Sequence, residues 1–212
     1  TRYKDGDFGP GQIQTAVDWY KRAALNGSSL AQFWLGYLYN LGEEVPLDYA
    51  EAAKWYQMAA DQGEQASINN LAIFYCWGQG VPQDWAKGIA LFESIKGTDS
   101  SDLWSYNLGV IRFWAPAPYG DKAAAVKAFR ATLGTNDGYA ESALGEAYAY
   151  GWGVKRDFKQ AFAWFIKSAE MGYPEAQYFA GEYYRQGKGA KRDFSQAAQW
   201  FERSAAQNDS RG

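Results

Sequence analysis

The chain has 212 residues, a net charge of -3, one cysteine (Cys76) and no histidine. That excludes a Ser-His-Asp or Cys-His catalytic arrangement, a histidine metal site, a thiolate zinc site and an internal disulfide. Lys and Arg are scattered rather than gathered in a stripe, which leaves no electrostatic footprint for nucleic acid, and no run approaches the roughly 18 apolar residues a membrane span needs.

From the N-terminus, Thr1 to Lys4 read as the last turn of a helix whose beginning is missing, because Tyr3 falls on Tyr39 and Gly6 on Gly42. The sequence opens on Thr1 with neither an initiator Met nor a signal peptide, so the expectation is a processed or trimmed chain, compatible with removal of an export signal. Residues 1–27 therefore form a partial unit, and Trp19-Tyr20 foreshadows Trp55-Tyr56. Full units follow at about 28–63, 64–97, 98–134, 135–172 and 173–208. The period is clearest in the last two, where Gly145, Gly151, Asp157, Trp164 and Phe165 recur 36 residues on as Gly181, Gly187, Asp193, Trp200 and Phe201. A fixed period of this size marks a repeat array.

Each unit reads as two helices. The first carries small and apolar residues at helical spacing, as in Ala31, Leu35, Gly36 and Tyr39. Its mid-helix column reads Gly36, Ala72, Gly109, Gly145, Gly181. Glycine there costs roughly 1 kcal/mol against alanine, so its recurrence implies a neighbouring helix on the bare backbone. A closing glycine follows (Gly42, Gly78, Gly151, Gly187), then a short turn, then an Asp that opens the second helix: Asp48, Asp84, Asp121, Asp157, Asp193. Asp48 with Glu51, Asp157 with Gln160 and Asp193 with Gln196 suggest reciprocal capping boxes. Short one-sided helices of this kind are stable only when stacked. The expected fold is all-α, a right-handed superhelical α-solenoid of about five and a half helix-turn-helix repeats, with residues 1–212 as one solenoid domain. The tail QNDSRG has no periodicity and reads as a frayed end.

The pattern A-x3-LG-x2-Y-x2-G-x-G-V-x2-D-x3-A-x2-W-[YF]-x2-A-A-x2-G resembles the Sel-one-like repeat, a relative of the tetratricopeptide repeat. It is strong at 31–63, 140–172 and 176–205, good at 64–97, and covers nearly the whole chain. The resemblance implies a protein-interaction scaffold of a kind often found in bacteria, and the expectation is a chain without catalysis or cofactor. It implies export to the periplasm or cell surface, with the cytoplasm left open. It names no partner.

Unit 98–134 breaks the pattern: Trp104 stands in the Ala column, and its turn reads FWAPAPYGDK with two prolines. That is either drift in a tolerant loop or a binding loop with Trp114 and Tyr119 as rigid anchors. By analogy with tetratricopeptide arrays, the first helix of each unit lines a concave groove. The positions left free there include Phe33 and Tyr37, Asn69, Ile73 and Trp77, Tyr106, Val110, Phe113 and Trp114, Glu146, and Tyr178 and Glu182. These twelve are the candidate partner-binding residues; the alternative is that several of the rings are core. Cys76 reads as a small buried or groove hydrophobe. Glu146 and Glu182 form either a solvated acidic patch or, less simply, an acid-base pair. GQGVPQ and GKGAKR lack the Gly-Lys-Ser/Thr ending of a phosphate loop and read as repeat turns.

The function expected is binding of another protein or peptide in the groove. An immunity protein that neutralises a secreted effector is the second reading, and a carbohydrate-binding accessory protein the third. Self-association through an uncapped terminal repeat is a further expectation.

Overall fold

The computed structural model describes residues 10–95, 101–134 and 138–209. The expected last helical turn at Thr1 to Lys4 lies outside them. Among the described residues there are eleven α-helices and no strand. Helix α1 (Pro10–Leu25) is the second helix of the partial unit. Five pairs follow: α2 (Ser29–Leu41) with α3 (Tyr49–Ala60), α4 (Gln65–Trp77) with α5 (Trp85–Ser94), α6 (Ser101–Trp114) with α7 (Lys122–Ala131), α8 (Tyr139–Tyr150) with α9 (Phe158–Glu170), and α10 (Pro174–Gln186) with α11 (Phe194–Asp209). Contacts divide the chain into two compact units, residues 1–96 and 97–212. The tail is helical further than its composition implies, since α11 continues to Asp209.

The small column is explained by aromatic rings. A Cβ on Gly36 would lie 2.8 Å from the Tyr56 ring, on Gly109 2.8 Å from Phe129, on Gly145 2.6 Å from Phe165, and on Gly181 2.6 Å from Phe201. In each of these four pairs the second helix packs a ring against the bare backbone of the first, and no methyl group fits between. The repeat with Ala72 adjusts on the other side. It has Gly88 where its neighbours have Ala52, Ala125, Ala161 and Ala197, and a Cβ on Gly88 would stand 2.8 Å from the Ala72 carbonyl oxygen and 2.3 Å from Cys76 Sγ. Cys76 is thus buried in the space that Gly88 leaves, and burial pushes its thiol up to about 12.

The expected closing glycines take the left-handed conformation, with φ of 71° at Gly42, 69° at Gly78, 75° at Gly151 and 69° at Gly187. The turns also use their second glycine. A Cβ on Gly80 would meet the Tyr49 carbonyl oxygen at 2.1 Å, on Gly153 that of Lys122 at 2.3 Å, and on Gly189 that of Phe158 at 2.1 Å. Each turn therefore closes on the first residue of the second helix in the preceding repeat.

The Asp caps form, but only half of each expected box. Asp48 accepts from the Glu51 amide at 2.9 Å, Asp157 from Gln160 at 3.1 Å and Asp193 from Gln196 at 3.0 Å. The amides of the three Asp residues donate instead to the carbonyls of Tyr39, Tyr148 and Tyr184, at 3.0, 2.9 and 3.0 Å. The turn folds the cap back onto the first helix, so Glu51, Gln160 and Gln196 have no orphan donor left to satisfy. Glu51 is bound by Lys54 instead.

Candidate partner-binding site

The sequence-predicted positions fall into two groups, one in each compact unit. In residues 1–96, Phe33 and Tyr37 are half-buried and stacked, with ring centroids 6.2 Å apart. Asn69 is buried at 4 % exposure, its amide donating to Asn70 at 3.1 Å, so it presents no surface to a partner. Ile73 is half-buried. Trp77 is exposed and meets Trp85 edge to face at 5.3 Å.

In residues 97–212 the groups converge. Tyr106, Val110, Phe113 and Trp114 from α6 and Ser142, Ala143 and Glu146 from α8 line one cavity of about 150 Å³, completed by Phe129, Tyr139 and Tyr173. Phe113 is core at 8 % exposure, with Lys122 Nζ 4.1 Å from its ring centroid, so it forms a floor. Trp114 is 62 % and Tyr139 43 % exposed, and both stand at the rim. The walls are a chain of rings: Tyr106 to Phe129 at 5.7 Å, Tyr106 to Tyr139 at 6.1 Å, and Tyr139 to Tyr173 at 4.5 Å.

Electrostatics in this cavity are set by burial without compensation. Burial raises the Glu146 carboxyl above its ordinary value of 4.5. Among the described residues no hydrogen bond or ion pair reaches that carboxylate. Burial also pushes the Tyr106 hydroxyl up to about 12, with Tyr139 and Glu146 adding to it. Tyr173 is raised by burial first and then by Glu175, Tyr106, Tyr139 and Glu146. Three phenols and one carboxylate therefore face a common space.

Tyr178 and Glu182 on α10 do not line it. Tyr178 is exposed and tilted on Phe201 at 5.6 Å. The Glu182 carboxylate accepts from Arg185 at 2.9 and 2.8 Å and from Gln186 at 2.6 Å. Those bonds hold it below the usual carboxylate range, and Glu146 and Glu182 do not share a site.

Sequence reasoning from first-helix positions missed Phe129, Tyr139 and Tyr173. Tyr173 had a signal. Before α2 and α4 the side chains of the corresponding cap residues, Ser28 and Glu64, accept hydrogen bonds from the helix amides, whereas the Tyr173 side chain before α10 makes no cap bond. An aromatic residue where a cap belongs gives up capping for another task. Among the described residues no group of His, Cys, Asp and Glu could hold a metal, and no helix is long and apolar enough to cross a membrane.

Among solved structures, the chain is similar to a protective antigen of uropathogenic Escherichia coli strains with the SLR fold. Identity is 33 % and the TM-score 0.75, over 90 % of this chain and 41 % of that one. This chain therefore spans about two fifths of that relative's length. A Sel1 repeat protein from Oxalobacter formigenes is 24 % identical with a TM-score of 0.73, over 93 % of this chain and 83 % of that one. An immunity protein from Pseudomonas aeruginosa, 20 % identical over 91 % of this chain and 66 % of its own, shares the fold with a TM-score of 0.51. No curated protein matches. Sel1 repeats match residues 2–28, 29–64, 65–94, 138–173 and 174–209, passing over the irregular unit that supplies α6 and α7, and the chain belongs to the Sel1 repeat family.

Proposed function

We propose that this chain is a non-catalytic scaffold that binds a partner protein, and that the cavity between α6 and α8 is the centre of the binding surface. The carrying observation is that five first-helix positions left out of the stacking columns, Tyr106, Val110, Trp114, Ser142 and Glu146, line a single cavity over the core ring of Phe113. Trp114 on its lining is 62 % exposed. Exposed aromatic side chains at a concave site supply most of the energy in protein interfaces. Sel1 repeat proteins generally mediate protein-protein interaction, which supports the same reading. Neutralising a toxic effector would be one instance of it; the immunity protein named above shares only the fold.

Site-specific photo-cross-linking tests the proposal. A cross-linking residue at position 114 should capture one discrete protein. The same residue at position 163, an exposed site on α9, should not. Equal capture from both positions, or capture from 163 alone, contradicts the assignment.

A further inference from the structure

We propose that the cavity between α6 and α8 receives the cationic head of a lysine or arginine side chain of the partner, with Glu146 as counter-ion and Tyr106, Tyr139, Tyr173 and Trp114 as walls. The inference rests on the protein-binding reading and names the chemistry of the group that enters.

Size comes first. A cavity of about 150 Å³ is below the roughly 300 Å³ at which sites for whole small molecules begin, and matches one that accepts a benzene-sized group. It has room for the end of one side chain.

Charge selects which kind. A half-buried carboxylate without a hydrogen bond or cation is disfavoured, and natural sites resolve this with a partner. The chain shows that resolution one repeat later, where Arg185 forks onto Glu182 at 2.9 and 2.8 Å. Glu146 stands in the same column, but Ala149 and Tyr150 occupy the places of Arg185 and Gln186, so its own helix offers no cation. An apolar occupant would bury Glu146 further and leave it unpaired, and a neutral donor would leave its charge uncompensated. A cation would complete it.

The walls favour the same guest. Ring faces carry negative charge and attract cations within about 6 Å. This chain uses that contact within its own fold, with Lys122 Nζ 4.1 Å and 4.8 Å from the centroids of Phe113 and Trp152. The Tyr106, Tyr139 and Tyr173 hydroxyls can in addition accept from an ammonium or guanidinium. Trp114 covers the apolar stem from the rim.

The test uses n-butylammonium, n-butylguanidinium and n-butanol as probes on the full chain, followed by ¹H–¹⁵N NMR at the Trp114 indole and the Glu146 amide. The proposal expects saturable shifts at those signals, with at least one cation binding about tenfold more tightly than n-butanol. Whichever cation is preferred assigns the guest as lysine or arginine. Glu146→Gln should erase the preference while the remaining spectrum stays in place. The wild-type comparison decides even if that variant does not fold. Equal binding of n-butanol and both cations overturns the proposal, as does a preference that survives Glu146→Gln. The outcomes separate this inference from the reading beneath it. A partner cross-linked at position 114 without a cation preference leaves the scaffold standing and removes the cation guest. A cation preference without any cross-linked partner removes the protein as its source.

Discussion

Glu146 and Glu182 stand 36 residues apart at the same place in successive repeats, and their carboxylates lie in opposite environments. Burial raises Glu146, whereas the Arg185 hydrogen bonds lower Glu182. Stacking does not fix the residue type in this column, which reads Tyr37, Ile73, Val110, Glu146 and Glu182, so one acid is paired and the other unpaired on the same scaffold.

The two carboxylates predict opposite pH effects. Glu146 is raised in the folded state. Its linked stability is complete below the unfolded value of 4.5 and is lost as pH rises through the folded value. Glu146→Gln should therefore raise Tm at pH 7, and the gain should shrink towards about pH 4. Glu182 is lowered, so its contribution is present at neutral pH and is lost on acidification through the folded value. Glu182→Gln should lower Tm at pH 7. Calorimetry of both variants at the two pH values checks the signs, and a fall in Tm for Glu146→Gln at pH 7 would rule out the unpaired state.

Gly145→Ala places a methyl 2.6 Å from the Phe165 ring. Alanine normally stabilises a helix over glycine by roughly 1 kcal/mol. Here an overpacking cost of about 1–3 kcal/mol should outweigh that gain, with each net kcal/mol lowering Tm by about 2–4 °C. Adding Phe165→Leu should recover part of the loss, because it removes the clashing ring edge. A stabilised Gly145→Ala chain would refute the packing of the Phe165 ring on that backbone.

Two left-handed glycines separate strain from contact. Gly172 has φ of 95° and nothing within 4 Å of an added Cβ, so Gly172→Ala should cost only the backbone strain, about 1–2 kcal/mol. Gly189 has φ of 70°, and its added Cβ would lie 2.1 Å from the Phe158 carbonyl oxygen. Gly189→Ala should cost clearly more, because α9 itself would have to shift. Urea midpoints of the two variants measure the difference, and equal midpoints would deny the contact between turn and preceding repeat.

Loss of a cap should be moderate. Asp157 accepts from the Lys159 and Gln160 amides at 2.9 and 3.1 Å, so Asp157→Ala should cost about 0.5–2 kcal/mol. Gln160→Ala should be nearly neutral, because the Asp157 amide already donates to Tyr148. Denaturant titration of the pair reads this out, and equal losses would restore the reciprocal capping box.

The scaffold was legible in the sequence because stacking allows few residue types. Only a bare backbone accepts the Phe165 ring at Gly145, only a positive φ closes the turn at Gly151, and only a short acceptor caps at Asp157. Free positions carry no such constraint. Tyr106, Trp114 and Glu146 could be placed on helix faces, but their convergence with Tyr139 and Tyr173 depends on how α6, α8 and the turn before α10 meet. No spacing rule supplies that. Asn69 shows the opposite error: a first-helix position free by counting is buried once the helices pack.

The most direct measurement is the affinity of the cross-linked partner, once isolated, for the wild-type chain and for Trp114→Ala. Trp114 is 62 % exposed, so truncation should leave the unfolding transition in place. Calorimetric titration should then show a Kd weaker by at least about tenfold, as for an interface anchor. An unchanged Kd in the folded variant would contradict the assignment of this cavity as the binding site.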